Sequence, residues 1–484
     1  MSLDVALLSG IVLLYAISLI FLSQNRYAGL TETLRVAIMP LSLAYFLNGD
    51  SKHSEKLVYI GLMCVAVIGL LESMSIVVIP NGLDSSNDRL QSVLQYANTT
   101  ALLMMIGAFY AFQSFLDHRK LGNLICLAAF LIAFALTGSR ISLIVLVVTG
   151  TVYALMLVKG KGKYVILCSV AAATIFIVLM SMFSSFHLFR ISLFEGTFLE
   201  RLISFQDAFK MLRGRWLLGI GSGNWQTWHH QYQTTYYNVR YIHNYYLQLF
   251  LDSGVVSPLL FVAVIIPAIV RGIKAKSVNA CVLIAIALRA LLDFDMIFAS
   301  VGAIAMLSVS RLTVRTKVLP VGKIRGLAVV PLVFLIAITA SEAFSSLADR
   351  NLMQGNLESS MKFNEIALKL NPVKYNSYFK MALSAQDIGQ AEELLRTATE
   401  KDPSDLESLE ALAELLASSD RYDEALELCE RLITEWKNSP QFLELYYETL
   451  KMAFEAKSID EPEYSKKLNA LDQISEYQKS SNTL

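Results

Sequence analysis

The run ISLIVLVVTGTVYALMLV, residues 141–158, is closed at once by KGKGK, residues 159–163. The first part holds no formal charge and is long enough, at about 1.5 Å per helical residue, to cross most of a hydrocarbon core roughly 30 Å thick. The second part carries three lysines and has to stay in water. The same alternation recurs along the chain. Apolar runs near 5–23, 32–48, 57–79, 98–116, 122–137, 141–158, 164–184, 244–270, 279–292, 296–310 and 326–345 predict eleven membrane helices. Composition agrees, with 17% charged residues in a chain of 484, against roughly 25% in soluble domains. A mean hydropathy of +0.49 excludes an ordinary soluble enzyme and a disordered chain. The expected fold class is all-α, a polytopic membrane helical bundle. The first span lacks a basic leader and a cleavage site and reads as a retained helix.

Charge divides the chain. Residues 346–484 hold 26 acidic and 15 basic side chains, whereas residues 1–345 hold 15 and 26. A membrane domain over 1–345 and an acidic, soluble domain over 346–484 are therefore expected. Turns alternate in the same sense. Those at 49–56, 117–121, 159–163, 271–278 and 311–325 carry 15 Lys/Arg together, and those at 24–32, 81–97, 138–140 and 293–295 carry three. The positive-inside rule then puts the N-terminus in the cytoplasm, and the 185–243 segment and the acidic tail outside.

The tail has a helical rhythm. Prolines at 372, 403 and 440 recur at intervals of 31 and 37, around the 34 or so of tetratricopeptide repeats. Gly389-Gln390-Ala391-Glu392 and Tyr422-Asp423-Glu424-Ala425-Leu426 supply small residues where such helices pack. About three repeats with a polar capping helix near 460–480 are predicted, and their groove suits a protein partner.

The 185–243 segment is too polar to cross a membrane and too long for a turn. It holds four of the six histidines and a dense mixture of Trp, Tyr, Arg and Gly. Four stretches in and around it stand out. They are Leu136-Thr137-Gly138-Ser139-Arg140, Glu200-Arg201-Leu202, Gly219-Ile220-Gly221-Ser222-Gly223-Asn224, and Ile242-His243-Asn244-Tyr245-Tyr246-Leu247-Gln248, with Arg89 and Tyr96-Ala97-Asn98 upstream. The three glycines lack the strand–turn–helix setting of a dinucleotide loop and read as a tight turn. The five cysteines have no metal-ligand spacing. Asp293-Phe294-Asp295 has a D-x-D spacing, but no further carboxylate lies near it in the chain, and a polar turn or an acceptor-sugar contact is expected rather than a metal site.

In their order and spacing these motifs over residues 80–310 resemble the O-antigen ligase and O-antigen polymerase superfamily of bacterial glycan transferases. The resemblance implies a GT-C-like membrane fold. It also implies inverting, metal-independent transfer of glycan from an undecaprenyl-diphosphate donor outside the cytoplasmic membrane, with no cofactor. Related members carry a tetratricopeptide tail.

The chemistry can be set beside that resemblance. A lipid diphosphate is a good leaving group that needs cationic stabilisation, which an Arg fork supplies. An acceptor hydroxyl needs a base, and His titrates near neutral pH. His243 is thus the candidate base, with Asn244 beside it. Arg140, Arg201 and Arg89 are the candidate diphosphate ligands, with Ser139 supporting. Arg289, inside a span, is expected to pair with Asp293 or to face phosphate. His229 and His230 are expected to be solvated, and His53 and His118 to face the cytoplasm. Expected partners are the lipid-linked donor, membrane lipid, and a glycan, lipid-linked or protein acceptor, without nucleic acid. The acceptor distinguishes a polysaccharide polymerase, an O-antigen ligase and a protein O-oligosaccharyltransferase. A transporter or a scaffold displaying repeats is the rival from another class.

Overall fold

The computed structural model describes residues 2–166, 169, 196–313 and 321–481, apart from positions 50, 80–81, 85–87, 238, 404 and 437. Among them the regular structure is helical apart from one isolated bridge between Leu83 and Leu90. The membrane part comprises α1 (Leu3–Phe21), α2 (Arg26–Asn48), α3 (Ser51–Ser73), α4 (Ala97–His118), α5 (Leu121–Leu136) and α6 (Arg140–Leu157). It continues with α7 (Gly196–Met211), α8 (Trp225–Tyr232), α9 (Tyr245–Ser253), α10 (Val256–Lys274), α11 (Val278–Ala290), α12 (Ala299–Leu312) and α13 (Val321–Met353).

Six helices among the described residues (α1, α2, α3, α4, α6 and α10) are long and apolar enough to cross a membrane, and α5, α11 and α12 are shorter apolar helices. This is an all-α chain with the makings of a polytopic membrane bundle. Helix α4 is buried along most of its length and packs on α3, α5, α6 and α11. Leu13, Ile125, Ile144 and Leu259, by contrast, turn outward from α1, α5, α6 and α10. So many exposed apolar side chains on one body suit lipid rather than water.

Two differences from the sequence expectations concern helix ends. The run at 244–270 is two helices, α9 and α10, parted at Gly254. Gly254 has φ +84°, and a Cβ there would lie 1.9 Å from the Leu217 carbonyl oxygen, so the chain breaks where it meets the external segment. The run at 57–79 is helical only to Ser73, because Ser75 turns left-handed at φ 59°. Of the span expected at 164–184, all but 164–166 and 169 lies outside the described residues.

The turns segregate. On one face, Ser23 Oγ donates to the Ser222 carbonyl at 2.8 Å, Arg89 Nε to the Thr137 carbonyl at 2.8 Å, and His243 meets Asp293. On the other, Arg311 pairs with Glu55 at 3.2 Å, Asn279 donates to Glu55 at 3.1 Å, and Thr313 donates to Asp4 at 3.2 Å. The sparsely charged turns share the first face, and basic turns share the second with the N-terminus.

The compositional boundary at 345/346 falls inside α13, which runs without interruption into the tail. There α14 (Leu357–Leu370), α15 (Asn376–Ala382), α16 (Ile388–Lys401), α17 (Leu406–Ser418), α18 (Tyr422–Glu435), α19 (Pro440–Glu455) and α20 (Glu461–Ser481) each pack on the helix before. Pro372 and Pro403 follow the ends of α14 and α16. Pro440 instead opens α19 at its first position, where a missing N–H costs nothing. The tail docks on the first face. Asn25 Nδ2 donates to Asp402 at 2.9 Å, and Asn438 Nδ2 donates to the Gln233 carbonyl at 2.8 Å.

Candidate functional site

The turn between α11 and α12 brings Asp293 to the centre of a cluster. Its carboxylate is fully buried and accepts from four side chains and one backbone N–H. His243 Nδ1 lies 3.0 Å from Oδ1, and the Tyr96 hydroxyl donates to the same oxygen at 2.9 Å. Asn98 Nδ2 and an Arg289 amino group donate to Oδ2 at 2.9 and 3.0 Å. The Phe294 N–H completes Oδ1 at 3.0 Å. Arg201 stands 3.7 Å from Oδ2 and donates to the Leu292 carbonyl at 3.0 Å.

Burial alone would raise the Asp293 carboxyl. The His243 hydrogen bond and the charges of Arg289, His243 and Arg201 outweigh it and hold the group well below the usual carboxylate range. Asp293 is therefore an anion, and an anion only accepts. His243 Nδ1 must carry the proton in this bond, which leaves Nε2 with its lone pair whenever the ring is neutral.

Arg289 is wholly buried and ties the D-x-D pair together, reaching Asp293 as above and Asp295 through Nε at 2.9 Å. Thr99 Oγ1 donates to Asp295 Oδ1 at 2.7 Å. Both carboxylates thus already have cationic and neutral partners. Among the described residues no three His, Cys, Asp or Glu side chains gather where a metal ion could be held.

Asn98, at the start of α4, joins this cluster to a second one. Its Oδ1 accepts from Arg89 at 3.0 Å and from Ser139 Oγ at 2.8 Å. Gly138, at φ +59°, turns the chain beneath the Arg89 side chain. Arg140 opens α6 beside them, exposed, and its charge lowers the pKa of Arg89, after burial and against the pull of Tyr96, Asp84 and Asp293. The structure therefore brings His243, Arg201, Arg289 and Asp293 into one cluster, and Arg89 and Ser139 into another one residue away, with Arg140 at its edge. Asn244 stands apart in role. Its side chain accepts from the Leu247 N–H at 3.0 Å and caps α9.

Aromatic rings floor the site. Phe294 stacks on Tyr96 at 4.8 Å between centroids and lies 5.1 Å from His243 and 5.6 Å from Tyr241.

The external segment corrects one expectation. His229 is not solvated. It is 2% exposed, stacked on Trp225 at 5.2 Å and beside Tyr237 at 5.8 Å, with His230 half-buried against it. The three glycines serve packing. At Gly219, Gly221 and Gly223 φ is positive, and a Cβ would lie 2.3 Å from the Leu251 carbonyl, 2.5 Å from Asn224 and 2.7 Å from Ala28 respectively. This loop is pressed between α9 and the α1–α2 turn. Sequence reasoning marked Tyr96 and Asn98 without giving them a role, placed Asp295 only in a polar turn or sugar contact, and passed over Thr99. The signal was a polar Asn-Thr-Thr opening an otherwise apolar span.

A half-buried His243 bonded to the buried Asp293, with Arg201 and Arg289 beside them, thus sits on the apolar helical scaffold of a polytopic membrane protein. Residues 125–262 match the O-antigen ligase family, and residues 380–440 match the tetratricopeptide repeat. The chain thus carries an O-antigen ligase domain followed by a tetratricopeptide-like region. No curated protein matches it.

Proposed function

We propose that the chain is a membrane glycosyltransferase of this superfamily. It transfers glycan from an undecaprenyl-diphosphate-linked donor to an acceptor hydroxyl outside the bacterial cytoplasmic membrane, as a polysaccharide polymerase or an O-antigen ligase. The scaffold has eleven spans of GT-C-like type, and the reaction inverts the anomeric carbon without a metal ion. The observation that carries this reading is the 3.0 Å bond between His243 and Asp293.

With Nδ1–H held by Asp293, His243 Nε2 takes the proton of the acceptor hydroxyl. The acceptor oxygen attacks the anomeric carbon as the bond to the phosphate oxygen breaks from the opposite side. The bonding pair leaves with the diphosphate, whose charge falls to Arg201, Arg140 and Arg89. Ser139 and Asn98 hold Arg89 in place, and Arg289 fixes Asp293. That the D-x-D carboxylates already accept from Arg289, Thr99, Asn98 and Tyr96 supports a role in positioning rather than in metal binding. The segregation of basic turns to one face supports a cytoplasmic side there, with the site and the repeats outside. A protein hydroxyl as acceptor is the second reading, favoured by the repeats docked beside the site.

Purified full-length protein supplied with lipid-linked glycan in detergent is the test. Mass spectrometry should detect new glycosidic bonds. His243→Ala should lower their rate by about 10²–10⁴-fold, with membrane insertion and donor-lipid pools intact. Near-normal product removes His243 from the mechanism. An unchanged glycan with the wild type favours a transporter or scaffold instead.

A further inference from the structure

On the face that bears His243, the membrane body and the first repeats line an open cavity of about 750 Å³. Its walls come from α2, the external segment, α13 and the α14–α17 region, so neither domain forms it alone. We propose that this cavity is the acceptor subsite and that its occupant is a carbohydrate chain. The proposal rests on the transferase reading and names the acceptor class for it.

Three observations carry it. First, the cavity lies close to the candidate base. Arg35 on its wall donates to the Tyr241 hydroxyl at 2.5 Å, Tyr241 lies 5.6 Å from Phe294, and Phe294 lies 5.1 Å from His243. Only two rings separate the wall from the imidazole.

Second, the charges of the walls balance. Four cations (Arg35, Arg240, Lys374 and Lys380) face four carboxylates (Glu342, Asp402, Asp405 and Glu407). Lys374 pairs with Glu342 at 2.6 Å, and Lys380 and Arg35 pair with Asp349 and Glu32 behind the wall at 2.8 and 2.5 Å. A polyanion would meet as many carboxylates as cations, whereas a polyhydroxylated neutral chain meets donors and acceptors of both signs.

Third, the lining combines aromatic and planar polar side chains with few apolar ones. Tyr27 and Tyr375 supply rings, and Gln226 and Asn376 supply amides. Ring faces cover the C–H surface of a sugar while amides and carboxylates match its hydroxyls. A peptide groove would need apolar pockets for side chains, and here the aliphatic contribution is Ile338, Val373 and Leu406. The volume lies inside the roughly 300–1,000 Å³ range of ligand sites.

The test uses full-length protein in detergent and a fluorescently end-labelled oligosaccharide cut from the host cell's own surface polysaccharide. Wild type should bind it. Tyr375→Ala should weaken binding by fivefold or more. Asn376→Ala, at an exposed position, should weaken it measurably. In transfer assays both variants should raise KM for the acceptor while kcat and KM for the donor stay put. His243→Ala should bind the oligosaccharide as the wild type does. The proposal is overturned if wild type fails to bind, if both variants bind and transfer as wild type does, or if an acceptor polypeptide displaces the oligosaccharide and is itself glycosylated. Binding that weakens in the variants, in a wild type that forms no glycosidic bond, sinks the transferase reading and leaves the carbohydrate site standing.

Discussion

Asn98 and Asp293 lie 195 residues apart in the chain and 2.9 Å apart between amide nitrogen and carboxylate oxygen. The other end of the same amide accepts from Arg89 and Ser139. One side chain therefore fixes the distance between the cluster around the imidazole and the cluster of arginines near Gly138. In the mechanism above, those are the groups that handle the proton and the leaving diphosphate.

Replacing that amide should uncouple the two. Asn98→Ala removes a donor from a buried carboxylate and an acceptor from Arg89. A loss of about 1–3 kcal/mol in stability is expected for such unsatisfied groups. The drop in transfer should exceed what lowered stability explains, with kcat affected more than the donor KM. Asn98→Asp should be worse, because it sets a second carboxylate against Asp293. Thermal unfolding in detergent and steady-state kinetics check both variants. Equal activity in Asn98→Ala and wild type would show that the two clusters act independently.

Much of the fold could be read from the chain because insertion into lipid depends on composition over some twenty residues, which no distant contact alters. The grouping of turns followed from Lys and Arg for the same reason. The site was legible where a residue type has few alternatives, as with His243 beside a membrane helix. It was not legible where partners are remote. An Asn at a helix start reads alike whether it caps, as Asn244 does, or bridges, as Asn98 does. The burial of His229 depends on how 196–243 folds upon itself, and a pair of histidines among aromatics looks the same in a wet loop. Asp252-Ser253-Gly254 stands out in the chain, but the break it makes in the 244–270 run depends on the remote Leu217 carbonyl packed against Gly254.

That buried histidine should make the external segment sensitive to acid. Burial pushes the His229 imidazole down to about 4, partly opposed by hydrogen bonds with the Trp225 and Gln226 backbones. Burial and the charge of His229 push His230 down to about 3. An unfolded histidine takes its proton near 6.5 or so. Between those values the unfolded chain binds a proton that the folded one refuses, so stability is full above about pH 6.5 and falls as the pH drops toward 4. The loss at His229 is at most roughly 3 kcal/mol. Melting followed by tryptophan fluorescence should give a lower midpoint at pH 5 than at pH 7.5. His229→Phe should remove part of that slope, and the double variant with His230→Phe most of it. Parallel slopes in all three proteins would refute this account.

Gly214 and Gly223 offer a controlled comparison. Their φ angles are +75° and +76°. A Cβ at Gly214 meets nothing within 4 Å, whereas one at Gly223 meets the α2 backbone and Ala28 at 2.7 Å. Gly214→Ala should cost only the left-handed backbone penalty of about 1–2 kcal/mol. Gly223→Ala should add an overpacking penalty of about 1–3 kcal/mol and loosen the external segment from the α1–α2 turn. Limited proteolysis across 196–243 should therefore speed up in Gly223→Ala and hardly change in Gly214→Ala. Matching cleavage rates would mean that the glycine loop does not hold the segment down.

Arg289 tests how the carboxylate pair is held. It is the cation that Asp293 and Asp295 share, and all three side chains are essentially buried. Arg289→Met leaves two anions facing each other without it, and breaking a buried pair in this way costs about 3–5 kcal/mol. The single variant should fold poorly and lose transfer. Adding Asp295→Asn to it removes one of the stranded charges, so the double variant should melt higher than Arg289→Met alone. A double-mutant cycle reads that coupling directly. His243 still meets Asp293 in the double variant, so some transfer should return with the fold. Recovery of stability without any return of transfer would assign Arg289 a part beyond holding Asp293. Additive losses would mean that Asp295 is not its partner in the membrane protein.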